Sequence, residues 1–336
     1  MSAHPARPGA LAAALVGVAL LVAGCSSPGR APRTETSHAA PALPGAPFWA
    51  DPDSAAVQQR EQWRADGHDA DAALLDRIAR QPAGKWIGGD DPEGQAARYT
   101  RQAAAAGRRA LLVAYDIPHR DCGQFSGGGA PDGTAYRSWV DRLAAGIGPR
   151  PATVVLEPDA VAHMVDGCTP PRYQDERYAL LAYAVGRLTS LPATAVYLDA
   201  GNSGWITDPL RMAGPLRRAG VDRAAGFALN TSNFQTTRAS TAYGLRLSEA
   251  LGGKHFVIDT SRNGNGPLAG RDPQQGWCNP PGRALGTPPT TRTGRKLLDA
   301  YLWVKPPGES DGPCNGGPPA GQWWPEYALD LARNAR

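Results

Sequence analysis

Thr153-Val154-Val155-Leu156-Glu157-Pro158-Asp159 sets four β-branched or apolar residues directly ahead of two carboxylates. A hydrophobic run this short and unbroken, closed by a proline, predicts a strand buried on both faces, as in a parallel sheet. Similar runs lie to either side, at 85–87, 110–117, 195–198, 226–229, 255–258 and 301–304, each bounded by Gly, Pro, Asn or Asp. Helical apolar spacing fills the gaps, most clearly over 136–147, 177–188, 209–219 and 241–251. Strands that alternate with helices predict repeated βα units and an α/β fold.

Polar residues gather where these strands stop. Asp116, Arg120 and Asp121 follow one; Glu157 and Asp159 the next; Asp199 and Asn202 the next. Asn230 and Asn233, then Asp259 and Arg262, then Lys305, Glu309 and Asp311 continue the series. In (β/α) barrels the C-terminal strand ends meet on one face and build the active site. A single Asp after a strand is more often a turn former or helix cap, but a whole series points to a functional rim. Trp86, Trp205 and Trp277 fall in or beside the same loops, where flat indole faces suit the apolar faces of pyranose rings. Trp49, Trp63 and Trp139 read as structural.

The chain opens with Arg7 and an uncharged apolar run over 9–23, shorter than the roughly 20 residues a bilayer span needs. This predicts an export signal over 1–24. Leu21-Val22-Ala23-Gly24-Cys25 resembles a bacterial lipobox, in which Cys25 becomes the lipidated mature N-terminus; an ordinary signal peptide is the alternative. Residues 25–45, rich in Pro, Ala, Ser and Thr, read as a flexible tether. Residues 46–336 then form a single catalytic domain, close to the roughly 250 residues common for one barrel. Of five cysteines, Cys122, Cys168, Cys278 and Cys314 remain after Cys25, an even set that predicts two disulfides in an exported protein. Three pairings are possible; proximity favours Cys122–Cys168 and Cys278–Cys314. There is no zinc-type Cys or His spacing, so neither a metal nor any other cofactor is expected. The net charge of +4 comes from scattered Arg rather than a basic run, which argues against nucleic acid as a partner.

Several blocks together resemble glycoside hydrolase family 6, the cellulase family of endoglucanases and cellobiohydrolases. Ala114-Tyr115-Asp116-Ile117-Pro118-His119-Arg120-Asp121-Cys122-Gly123, followed by Ser126-Gly127-Gly128-Gly129, is similar to its first signature, and Val154-Val155-Leu156-Glu157-Pro158-Asp159 to its second. Tyr197-Leu198-Asp199-Ala200-Gly201, Asn230-Thr231-Ser232-Asn233, Asp259-Thr260-Ser261-Arg262-Asn263-Gly264, Trp303-Val304-Lys305-Pro306 and Gly308-Glu309-Ser310-Asp311-Gly312 follow in the same order.

The resemblance implies a distorted, incomplete (β/α) barrel of about seven parallel strands and hydrolysis of β-1,4-glucan with inversion. Carried over by position, it implies Asp159 as general acid beside Asp121, Asp311 as the matching base candidate, and Tyr115 crowding the ring at the cleavage point. Ser126 would help to hold water, and Asp199, Lys305 and Glu309 would bind sugar hydroxyls, with Asn202 and Asn230 also meeting substrate. Trp86, Trp205 and Trp277 would floor the subsites, while Arg120 and Arg262 would order the carboxylates. The two cysteine pairs match the family's bridges. Asn202 stands where many members have His, Pro307 replaces a commoner Gly, and His119 and His163 occupy variable positions. The gap between the Asp199 and Asn230 blocks and the tail after Asp311 are short, which favours an open cleft and internal cutting over an exo-acting tunnel. The expected partner is a β-glucan chain, with membrane contact only through lipidated Cys25, at the extracellular face or secreted, as a monomer. A lipid-anchored carbohydrate binder without turnover and a metal-dependent hydrolase are the competing readings.

Overall fold

Seven strands form one sheet in sequence order, every neighbouring pair parallel. They are β1 (Lys85–Ile87), β2 (Ala110–Ala114), β3 (Ala152–Leu156), β4 (Thr194–Asp199), β5 (Gly226–Leu229), β6 (His255–Asp259) and β7 (Leu298–Leu302). The computed structural model describes residues 47–268, 270 and 276–335. The expected signal segment 1–24, the tether 25–45 and Cys25 lie outside the described residues.

The strand pleat divides the apolar side chains between two cores. Leu111, Val113, Val155, Tyr197, Val257 and Leu302 fill the concave side of the curled sheet. Leu112, Val154, Leu156, Leu198, Phe227 and Ile258 point outward and pack under the helices. Burying each of the larger side chains stabilises by roughly 1.5–3 kcal/mol, so every strand is held from both sides. The covering helices include α3 (Pro92–Ala105), α4 (Gly133–Ile147), α6 (Pro171–Thr189), α7 (Leu210–Arg218) and α8 (Thr237–Ala250); a short α5 (Ala162–Val165) follows β3. Helix α4 starts earlier than apolar spacing alone indicates because Asp132 caps it, accepting the Ala135 N–H at 2.8 Å.

The barrel is incomplete. Among the described residues β1 and β7 share no ladder, and the seam is bridged instead by the Gly84 N–H donating to Trp303 O (2.8 Å) and by Trp86 Nε1 donating to Val304 O (2.9 Å). A side chain at position 84 would collide with the Val304 carbonyl. Helices α1 (Ala55–Ala65), α2 (Asp69–Ala79) and α9 (Pro325–Asn334) cover the seam, packing Leu75, Ile78, Tyr327 and Leu331 around Trp303.

The last strand departs from expectation. It runs over 298–302 rather than 301–304, because Asp299, which breaks the apolar pattern, is accommodated inside the strand. Its carboxylate accepts from Tyr197 Oη at 2.6 Å and lies 2.6 Å from His255 Nδ1. The two disulfides are Cys122–Cys168 and Cys278–Cys314, each with Cα atoms 6.2 Å apart.

Candidate active site

The strand-end polar groups fall into two classes. One class stitches each strand to its neighbour's loop. Asp116 after β2 accepts the Gly89 N–H of the β1 loop (2.9 Å). Glu157 after β3 accepts from the backbone of Asp116 and Ile117 and from Tyr136 Oη. Asp199 at the end of β4 accepts the Asp159 and Gly201 N–H groups, both at 3.0 Å. Asp259 at the end of β6 takes the Ser232 N–H (3.0 Å) from the β5 loop and the Lys305 N–H (3.1 Å) beyond β7. Buried N–H groups at the ends of parallel strands need acceptors, and short acidic side chains supply them. Asp116, Glu157, Asp199 and Asp259, all expected on a functional rim, therefore act as braces, and Asp199, expected to bind sugar hydroxyls, is instead fully buried beneath the rim.

The second class stands beyond these braces. The loop after β2 carries Asp121, whose Oδ2 accepts from Ser126 N (2.9 Å) and Ser126 Oγ (2.8 Å). Tyr115 Oη is 3.0 Å from the same Oγ, so the chain runs Tyr115, Ser126, Asp121. Arg120 pins both limbs of the loop, donating to Tyr115 O (2.6 Å) and Ser126 O (2.8 Å) while lying over the Tyr115 ring. Cys122–Cys168 ties the same loop to the segment after α5.

Backbone strain concentrates here. His119, Asp121 and Cys122 in this loop, Glu157 and Asp159 after β3, and Asn230 and Ser232 after β5 all have positive φ. Such conformations cost on the order of 1–3 kcal/mol each and persist where surrounding bonds impose them.

Asp159 is half-buried, and its carboxyl comes within 4.8 Å of a carboxylate oxygen of Asp121 and a ring nitrogen of His163. Burial, then the charge of Asp199, and also Asp121, push the Asp159 carboxyl up to about 7, against a lowering by His163. Burial likewise pushes Asp199 up to about 6. A carboxylic acid that keeps its proton near neutrality thus sits beside a second carboxylate.

Asp311 is held differently. Arg262 grips it with two parallel bonds, Nη1 to Oδ2 (2.8 Å) and Nη2 to Oδ1 (2.9 Å), and the Asn279 N–H adds a third at 3.0 Å to Oδ2. The Arg262 side chain is fully buried, lies over Phe234 and also donates to Ser232 O at 2.5 Å. Of the roughly four lone-pair positions on a carboxylate, one on Oδ1 is left, facing Lys305 Nζ at 3.8 Å. Lys305 Nζ also donates to Ser310 O (3.0 Å) and lies 5.9 Å from the centroid of the Trp86 ring. Burial lowers the Lys305 ammonium and raises the half-buried Glu309 carboxyl.

Of the expected sugar-facing residues, Trp86, Trp205 and Trp277 remain partly exposed. Trp86 meets Tyr115 edge-on at 5.2 Å, and Trp205 anchors its Nε1 on Asp166 Oδ2 (2.8 Å). Asn230 contradicts its expected contact with substrate. It is fully buried, with Nδ2 donating to three carbonyls and Oδ1 accepting the Gln235 N–H, so its amide holds the β5 loop against β6. Asn202, also buried, uses Oδ1 to cap the turn at Gly204 and Trp205. Sequence reasoning missed Phe125, which is 47% exposed, packs over Gly312 and lies 6.0 Å from Trp277. Its place inside the Gly-rich loop was the available signal. It also passed over Asn279, which exchanges hydrogen bonds with Asp311 in both directions.

Two groups of Cys, His and Asp converge among the described residues. In one, Cys122 and Cys168 are already joined in a disulfide. The other, Asp121, Asp159 and His163, is the acid pair itself and its neighbour.

Three comparisons bear on this site. The family described as glycosyl hydrolases family 6 matches residues 43–335. Endoglucanase A of Cellulomonas fimi is 48% identical over 299 residues, covering 87% of this chain and 62% of that protein. The chain thus spans less than two thirds of that relative's length. Endoglucanase 1 of Streptomyces halstedii is 42% identical over 324 residues, covering 93% and 97%. The structure of the endoglucanase Cel6 from Mycobacterium tuberculosis in complex with methyl-cellobiosyl-4-deoxy-4-thio-β-D-cellobioside superposes with a TM-score of 0.81 at 48% identity, covering 87% of this chain and 98% of that one.

Proposed function

Since the chain belongs to the glycosyl hydrolases of family 6, we propose that it cuts internal β-1,4-glucosidic bonds of cellulose-type chains, with inversion at the anomeric carbon. One observation carries this reading: Asp159, whose carboxyl is raised to about 7, stands beside Asp121 at the C-terminal end of the barrel. Asp159 gives its proton to the bridging oxygen as the bond to the anomeric carbon breaks. Water attacks from the opposite face, and its proton passes to a carboxylate. Asp121, within 4.8 Å of Asp159 and so on the acid's side of the ring, suits that last step only through intervening water; among the described residues only its Oδ2 accepts hydrogen bonds. Asp311, with one lone pair left, suits a supporting role through a water. Tyr115, Ser126, Lys305, Glu309 and the three tryptophans are proposed to line the cleft. The named endoglucanases at 42% and 48% identity support internal cutting.

Product analysis on a long cello-oligosaccharide with anomeric NMR tests the whole reading. The α-anomer appearing first, from internal bonds, is the expected result; initial β-product rules out inversion. Equal reducing-sugar release by Asp159→Ala and parent overturns the acid assignment, and activity that survives thorough chelation disposes of a metal-dependent hydrolase.

We further propose that residues 1–24 direct export and that Cys25 carries a lipid, a compartment in which the two disulfides can form. Detergent-phase partitioning that Cys25→Ser leaves unchanged rejects the anchor. The enzyme is proposed to act as a monomer, which sedimentation tests.

A further inference from the structure

His163 is 6% exposed, and neither of its buried ring nitrogens has a hydrogen-bond partner among the described residues. Carboxylates from three separate segments face it. Asp166 Oδ2, at the end of α5, is 3.6 Å from Nδ1, and Asp121 Oδ1, after β2, is 4.0 Å from Nε2. Asp159, after β3, brings a carboxyl oxygen within 4.8 Å of the same cluster. Trp205 packs edge-on against the ring at 4.8 Å and steadies Asp166 through its own Nε1. A neutral imidazole so placed leaves one nitrogen without a proton to offer three acidic neighbours, whereas an imidazolium has an N–H for both sides.

We infer that His163, as an imidazolium, is a positioning residue for the Asp121–Asp159 pair, standing as the counter-charge beside both and keeping the Asp159 proton easy to release. This rests on the proposal that Asp159 is the acid. Burial disfavours charge on His163, yet Asp166, Asp159 and Asp121 together raise it above the ordinary histidine range. The reciprocal effect is on the acid, which His163 lowers while Asp199 and Asp121 raise it. The cation therefore opposes the two aspartates that would otherwise drive the acid's proton affinity higher.

The direction of the effect is distinctive. Without the cation, Asp159 keeps its proton to higher pH, so the alkaline limb of kcat moves up. The alkaline limb of His163→Asn is expected to shift upward by about half a unit or more, with His163→Gln behaving alike. A residue that merely packs would change kcat or Tm with that limb in place. The test is full pH profiles of parent, His163→Asn and His163→Gln on a soluble cello-oligosaccharide, with Asp159→Asn as control. If Asp159→Asn abolishes turnover and the alkaline limb of the His163 variants stays put, this inference fails while the acid assignment stands; if Asp159→Asn retains parental activity, the acid assignment itself fails. A second measurement needs no His163 variant: the imidazole of His163 in the parent, followed by NMR, is expected to titrate above an ordinary histidine, and a midpoint at or below that range overturns the proposal.

Discussion

The backbone N–H of Asp159 donates to Asp199 Oδ1 at 3.0 Å, so the residue that fixes the position of the proposed acid is also one that raises its proton affinity. The bond holds Asp159 at φ 71°, a conformation few non-glycine residues adopt. The negative charge that accepts the bond disfavours ionisation of the neighbouring carboxyl. Geometry and electrostatics reach the same atom from one side chain.

Asp199→Asn keeps an acceptor for both N–H groups but removes the charge. The acid works when protonated and fails as pH rises through about 7. Removing Asp199's charge lowers that value, so the alkaline limb of kcat is expected to move down by up to about one unit. A limb that moves up or stays fixed contradicts the coupling; kcat measured from pH 4 to 9 is the check.

Asp159→Asn is expected to lower kcat on cello-oligosaccharides by about 10²–10⁴ with little change in KM. An aryl cellobioside with a strongly acidic leaving group needs no proton and should lose far less. Equal losses on both substrates point to a role other than proton donation.

Ser126→Ala leaves Asp121 with the backbone N–H alone and separates it from Tyr115. Loss of one bond to a charged group, about 1.5–3 kcal/mol, corresponds to roughly 10–150-fold in kcat if it is made fully in the transition state. Because the three groups form one chain, Tyr115→Phe should cost less in the Ser126→Ala background than in the parent. Strict additivity in a double-mutant cycle argues that they act separately.

Arg262→Met removes the fork from Asp311 and leaves a buried carboxylate with Asn279 and a distant Lys305. Breaking one side of a buried pair typically destabilises by about 3–5 kcal/mol. Urea unfolding should show that loss, and Asp311→Asn added to Arg262→Met should recover part of it. A second substitution that only adds to the damage shows the charge was not the cause.

Cys122→Ser with Cys168→Ser opens a loop of 46 residues, worth about 4 kcal/mol in the chain-entropy account. Cys122 follows Asp121, and both sit at positive φ. Activity well below the melting temperature should therefore fall along with Tm. A variant that loses stability alone shows that Arg120 and Ser126 suffice to hold the loop.

Strands β2 to β6 were legible because burial on both faces leaves its mark in each short stretch by itself, as nearly unbroken apolar runs. The one shifted strand, β7, contains Asp299, and only Tyr197 and His255 from other strands make that position tolerable. The order of the strand-end carboxylates was likewise set along the chain, whereas proximity only favoured, among three pairings, the two cysteine bridges that form. Which carboxylate braces a loop and which is left for chemistry was decided in three dimensions. Asp259 and Asp311 look alike in sequence, yet one receives the N–H groups of neighbouring loops and the other an arginine 49 positions away. Asn230 looked like a sugar contact until its amide was found bound on every side. A residue's identity fixes which bonds and charges it can carry; its proton affinity and freedom depend on which distant segments fold against it, and no local stretch of sequence contains that.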